Sequence, residues 1–249
     1  MTSDDPFRMT RLVISFNRHF FYIALGACAL GVAVIFVIHQ PFIRWGIGLG
    51  ISAAIYFILA SVIASYFNYD HSDLYKLREW PARSFPENLA SAVIIHAGFD
   101  PASGAFRARY PNTSVRVLDF FTPEETTEAS IQLAHRLNPP TGPQEHTALD
   151  AWPIDTGSQD AVLALSAAHE IREDARRVRF FREARRVLRS GGRVVVIEQL
   201  RDLPNFLCFG AAVFHFLSRR TWLRSFRDSG LTLEREFAIT PFMRAFVLS

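Results

Sequence analysis

Apolar residues enter this chain as two long uncharged blocks and return later as short bursts between polar, helix-like stretches. Phe20 to Ile38 gives 19 residues without a charge, and Trp45 to Phe67 gives 23. About 20 apolar residues cross a bilayer as a helix, so each block predicts a membrane-spanning helix. A soluble helix of this length carries polar residues along one face, and neither block does. The first block also exceeds the roughly 7–15-residue core of a signal peptide and is followed at once by the second. Only "HQPFIR" separates them, which predicts a tight antiparallel hairpin over 20–67 behind a short segment, 1–19. Gly46 and Gly50 form a small-xxx-small step suited to close helix approach, within the hairpin or between two copies in a homodimer.

Past the hairpin the pattern changes. Residues 68–88, "NYDHSDLYKLREWPARSFPEN", are polar, contain two prolines and read as a linker along the membrane surface. From 89 to 249 short apolar runs alternate with helical patterns, the signature of βαβ units and a parallel sheet. Strands are expected at 91–97, 114–120, 147–151, 160–167, 192–199, 231–239 and 242–249, the last two joined by a short link as an antiparallel hairpin. Between them, 123–137 reads as a helix with acidic residues at its start, as the helix dipole favours. A second helix, "REDARRVRFFREARRVL", places Val178, Phe181, Arg185 and Leu188 on one stripe and runs into "SGG", where Gly191 or Gly192 can take a left-handed cap. The segment 203–217 is apolar but short for a third crossing; it predicts a buried helix, or an interfacial helix or lid over an apolar acceptor.

Charge orients the hairpin. Arg8, Arg11 and Arg18 precede it and Lys76, Arg78 and Arg83 follow it, against Arg44 alone in the loop. The positive-inside rule therefore places both ends in the cytoplasm, as a multi-pass protein of the cytoplasmic membrane. The net charge of +3 rests almost wholly on arginine, with Lys76 the sole lysine. In a membrane protein such a face meets anionic lipid rather than nucleic acid. Cys28 and Cys208 both lie in apolar segments, so the spacing gives neither a disulfide framework nor a metal-ligand cluster.

Residues 160–200, "DAVLALSAAHEIREDARRVRFFREARRVLRSGGRVVVIEQL", resemble the second half of class I S-adenosylmethionine-dependent methyltransferases, of the type 11 kind. "LDAWPIDTGSQDAV" and "TWLRSFRDSGLTLEREFAI" are similar to further stretches of that family, so the resemblance covers roughly 85 to 249. It implies an α/β, seven-strand Rossmann-like sheet with a C-terminal antiparallel hairpin, here preceded by two transmembrane helices, and S-adenosylmethionine as cofactor. By position, the resemblance puts Asp119 on the ribose hydroxyls and Asp150 on the adenine amino group, with the Ala151 N–H nearby. Gly98 matches the first glycine of the cofactor loop, Ser166 opens the turn facing the methionine end and acceptor, and His169 stands where a base could sit.

The first loop departs from the pattern. Where the family has an acidic residue and three glycines, this chain has His96, Gly98, Asp100 and Ala102. Asp100 is the residue that could replace the missing carboxylate near the cofactor's amino group. The expected activity is transfer of a methyl group to a small-molecule or lipid acceptor, with a lipid, isoprenoid or quinone-like molecule the economical choice for a tethered enzyme. A catalytically inactive binding or scaffold domain on the same fold is the alternative. An NAD-linked oxidoreductase would use Asp119 equally well, but the "SGG" strand start and the terminal hairpin argue against it.

Overall fold

A computed structural model describes residues 5–122, 132–133 and 142–249. The helix expected at 123–137 therefore lies almost wholly outside the described residues. The N-terminal part is helical: α1 (Arg8–Phe16), α2 (Arg18–Val37) and α3 (Pro41–Ser65), whose last turn runs on as a π-helical segment, Tyr66–His71. Helices α2 and α3 form the expected antiparallel hairpin and are long and apolar enough to cross a membrane, with 0% and 6% of their apolar windows buried. Phe36, Phe42, Trp45 and Leu49 all point outward.

The small residue at the α2–α3 contact is Gly31, not the Gly46/Gly50 step. A Cβ on Gly31 would sit 3.1 Å from Ile51, whereas one on Gly46 or Gly50 would meet nothing within 4 Å. Both glycines of the step lie on the outer side of α3, so the intramolecular approach expected of them is made by another residue.

The seven strands are β1 (Ser91–His96), β2 (Ser114–Asp119), β3 (Glu145–His146), β4 (Gln159–Leu165), β5 (Leu188–Gln199), β6 (Leu233–Ala238) and β7 (Met243–Leu248). They form one sheet in the order β3-β2-β1-β4-β5-β7-β6. Strands β1 to β5 pair in parallel; β7 runs antiparallel to both β5 and β6. Strand β3 is short and precedes the expected 147–151, because Ala148 to Ala151 turn back on themselves in a small bridge. Every residue of β4 is buried, as a central parallel strand covered on both faces requires.

One face is covered by α5 (Asp174–Val187) and α7 (Arg219–Asp228), which drive Phe180, Phe181, Trp222 and Phe226 into the sheet. The buried stripe of α5 is Arg177, Phe180, Phe181, Ala184 and Val187, offset from the expected one and ending before Leu188. Gly191 does take a positive φ of 80°, but it lies inside β5 rather than capping the helix. There the pairing with β4 shifts register between Gln159 and Ala161. A glycine relieves the steric cost of such a bulge.

The other face explains the polar "linker". Leu74, Leu77, Trp80 and Phe85 are buried there with Phe106 of α4 (Ser103–Arg109) and Tyr110. Each such side chain contributes about 1.5–3 kcal/mol of burial, so 68–88 is part of the core. Asp70 completes the junction: its carboxylate accepts the Met9 and Thr10 N–H groups at 2.9 and 2.8 Å. These are first-turn donors of α1 that the helix itself leaves unpaired.

Candidate active site

Strand order reverses between β1 and β4, and ligands of open α/β sheets bind outside the carboxyl ends of strands at such a switch point. In this chain the end of β1 leads to His96, Gly98 and Asp100, the end of β2 to Asp119, and the end of β4 to Ser166, His169 and Glu170. Topology thus brings together Gly98, Asp100, Asp119, Ser166 and His169 from the sequence-derived set.

Asp119 is buried, and its Oδ1 accepts the N–H groups of Gly98 at 2.8 Å and Phe121 at 2.9 Å. The carboxylate therefore closes the glycine turn as well as ending β2. Gly98 holds φ at +79°, and a Cβ there would lie 3.0 Å from the Phe121 ring. Both the backbone conformation and the close ring demand glycine. Asp100 accepts the N–H groups of Ala102 and Ser103 through Oδ1, holding the first turn of α4 as an aspartate at a helix start does. His96 is 3% exposed, and its two ring nitrogens have no hydrogen-bond partner among the described residues. Phe16, at the end of α1, packs edge-on against Phe99 and so brings the N-terminal helix onto this loop.

Asp150 and Ala151 sit apart. Both are exposed on the turn after β3, and Asp150 pairs with Arg179 of α5 at 2.9 Å. Ser166 adopts a positive φ of 50°, unusual outside glycine and a mark of local constraint. Tyr75 of the 68–88 segment lies beside it, and the Tyr75 ring stacks on Tyr69 at 5.6 Å. Burial, with Tyr69 and Glu198 nearby, pushes the Tyr75 hydroxyl well above the ordinary tyrosine range, so it stays a neutral phenol.

The densest chemistry lies beside Ser166. Glu198, at the end of β5 and 1% exposed, accepts the N–H groups of Ala167, Ala168 and His169 on Oε1 at 3.1, 2.9 and 3.3 Å. Its Oε2 meets His169 Nδ1 at 2.7 Å. On the far side of the ring, His169 Nε2 is 3.1 Å from Glu170 Oε1, and His215 Nε2 is 3.7 Å from the same oxygen. Burial opposes the charged imidazolium, but the Glu198 and Glu170 carboxylates outweigh it and hold His169 well above the usual histidine range. Burial likewise opposes the Glu170 carboxylate, yet His169 and His215 keep it well below the usual carboxylate range.

Sequence spacing gave no metal-ligand cluster, but the fold gathers His169, Glu170 and His215 into one set of ligand-capable atoms. Glu198 was visible in sequence only as the acid ending a strand, and His215 as the one histidine in an apolar stretch. Residues on separate loops 46 positions apart, His169 and His215, leave no spacing to read.

His215 ends a segment made of α6 (Leu203–Phe209) and the 3₁₀ turn Gly210–His215. The segment packs on α3, where Gly210 lies against the Phe57 ring. It exposes Leu203, Phe206, Leu207 and Phe214, at 66%, 44%, 47% and 64%.

Residues 104–196 match the family profile described as "Methyltransferase domain". No curated protein matches the chain. Among solved structures, it is similar to a SAM-dependent methyltransferase from Methanosarcina mazei, at 14% identity over 70% of this chain and 97% of that one, TM-score 0.51. A SAM-dependent methyltransferase from Aquifex aeolicus superposes with TM-score 0.52 at 12% identity, covering 77% of this chain and 97% of the other. The mitomycin 7-O-methyltransferase MmcR gives TM-score 0.52 at 16% identity over 99% and 73% of the two chains. At these identities the likeness is one of fold. S-adenosylmethionine is the cofactor that the domain family and the fold imply, and the donors at the head of the sheet fit it. They are a buried carboxylate ending β2, a glycine turn that admits no Cβ, and a buried imidazole ending β1 whose Nδ1 lies 3.5 Å from the Asp119 carboxylate.

Proposed function

We propose that this chain, whose residues 104–196 match the methyltransferase-domain profile and whose sheet shares the fold of S-adenosylmethionine-dependent methyltransferases, methylates an oxygen of an apolar, membrane-resident acceptor, lipid or quinone-like in class. Helices α2 and α3 would anchor it, with both ends on the cytoplasmic side, as the arginine distribution favours. The observation that carries the proposal is the segment 203–215. One end of it supplies His215 to the polar cluster, and its outer face is the exposed apolar patch leaning on α3. Phe57, which the segment touches, lies about 24 Å along α3 from Pro41 at about 1.5 Å per residue. That is within the span of a hydrocarbon core of about 30 Å. An acceptor could thus pass from the bilayer to the end of β4 without crossing water.

When bound, the cofactor supplies a methyl group already activated on a sulfonium. Asp119 would address the ribose through Oδ2 while Oδ1 keeps the glycine turn closed. His96 would offer an imidazole nitrogen near the amino end, in place of the acid usual there, with Asp100 the further carboxylate on that loop. Ser166 and Tyr75 would shape the wall between cofactor and acceptor. His169, with Nδ1 against Glu198 and Nε2 against Glu170, would fix the turn after β4 beside the acceptor; most of the rate would come from alignment.

The test uses the full chain in lipid vesicles with methyl-labelled S-adenosylmethionine and a lipid extract. Label in the organic phase, lost in Asp119→Ala, is expected. Cofactor binding with no transfer to any extractable acceptor would overturn the acceptor class. It would favour a catalytically inactive domain tethered at the membrane, which the altered His96 loop also suits.

A further inference from the structure

We propose that His169, Glu170 and His215 bind one divalent transition-metal cation. Their ligand atoms all lie within 4.8 Å of one another, on two loops that leave the ends of β4 and β5. Glu198 sets the tautomer. With Oε2 at 2.7 Å from Nδ1, the proton of a neutral His169 ring sits on Nδ1, and Nε2 presents its lone pair to Glu170 Oε1 at 3.1 Å. A proton on Nε2 bridges the two when the ring is cationic, and a metal cation takes the same place when it is neutral. A proton on His169 answers for one pair, but a second imidazole nitrogen, His215 Nε2, approaches the same oxygen at 3.7 Å.

Ligands bound at about 2.0–2.2 Å in a tetrahedral shell lie roughly 3.3–3.6 Å from each other, and the two distances from Glu170 Oε1, 3.1 and 3.7 Å, fall on either side of that spacing. A carboxylate behind a histidine ligand is the outer support that fixes ring orientation at metal sites. The two loops are tied by a group outside the set: Arg172 donates to the backbone carbonyls of His169 at 3.3 Å and His215 at 2.5 Å. Side-chain exposures of 14%, 8% and 28% leave a route in. Two imidazoles and a carboxylate favour Zn²⁺, Co²⁺ or Fe²⁺ over Mg²⁺ and Ca²⁺. Three protein ligands leave a position for an exogenous oxygen; that this oxygen belongs to the methyl acceptor rests on the methyl-transfer proposal, whereas the metal site does not.

The test is a Co²⁺ titration of the chelator-treated full chain in micelles. Visible d–d absorption saturating at one equivalent and displaced by Zn²⁺ but not by Mg²⁺ is expected. His215→Ala and Glu170→Gln should each abolish saturation in the same range, and Glu198→Gln should weaken it about 10–100-fold. Thermal unfolding of each variant checks that the fold is kept. His215 is partly exposed, so its variant serves even where one at His169 does not fold. Absence of the spectrum in the wild type, or its persistence in both His215→Ala and Glu170→Gln, overturns the proposal. Either result is read without methyl transfer, so failure of the acceptor assay leaves it intact.

Discussion

Removing Glu198 is the sharpest test of how the end of β5 organises the site. Its carboxylate takes three backbone N–H groups and the His169 ring, and two of those donors belong to Ala167 and Ala168, at 1% and 0% exposure. In Glu198→Ala these donors have no water to turn to. A stranded buried donor costs about 1–3 kcal/mol, and breaking a buried charged pair about 3–5 kcal/mol. The two figures describe overlapping losses, so about 3–5 kcal/mol is expected in all. For a protein of this size, 1 kcal/mol moves Tm by about 2–4 °C, which puts Glu198→Ala about 6–20 °C below the wild type. Glu198→Gln keeps an oxygen for the backbone donors but loses the charge opposite His169, so a drop smaller than that of Glu198→Ala is expected. The assay is thermal unfolding of the full chain in micelles, followed by the fluorescence of Trp80, Trp152 and Trp222, all buried in the sheet domain. A Glu198→Ala midpoint within 2 °C of the wild type would refute the role given to these bonds.

Asp119→Asn keeps an oxygen for the Gly98 and Phe121 N–H groups while removing the charge, so cofactor affinity should fall about tenfold with little loss of stability; calorimetric titration beside Asp119→Ala checks it. Gly98→Ala forces a non-glycine residue to φ +79° against the Phe121 ring. A cost of about 1–2 kcal/mol is expected from the backbone alone, read as a lower Tm that Phe121→Ala only partly restores. In the hairpin, Gly31→Ile should lower stability in micelles because Ile47 and Ile51 fill that space, whereas Gly46→Ile should leave it unchanged; equal effects would mean that the helices pack on another face.

Much of this protein was determined by local sequence. The two uncharged blocks dictate long apolar helices whatever surrounds them, because nothing in their residues can face water along a stripe. The alternation of short apolar runs and helices dictates a parallel sheet, and the last two runs, separated by a few residues, can pair only as a hairpin. Asp119 and Gly98 were legible because strand ends and glycine turns follow from neighbouring residues. Other features needed the folded chain. The 68–88 segment reads as a linker because its buried side chains are spaced among charged ones; only the uncovered sheet face explains why Leu74, Leu77, Trp80 and Phe85 go in. Asp100 reads as a replacement ligand, yet the start of α4 engages its Oδ1. The cluster of His169, Glu170, Glu198 and His215 joins three separate stretches. Sheet order alone sets β4 beside β5 and brings their loops to one edge. Sequence determines what each segment can bury, but which polar groups then meet is decided by strand order, since side chains on different loops share no local energy until the sheet has formed.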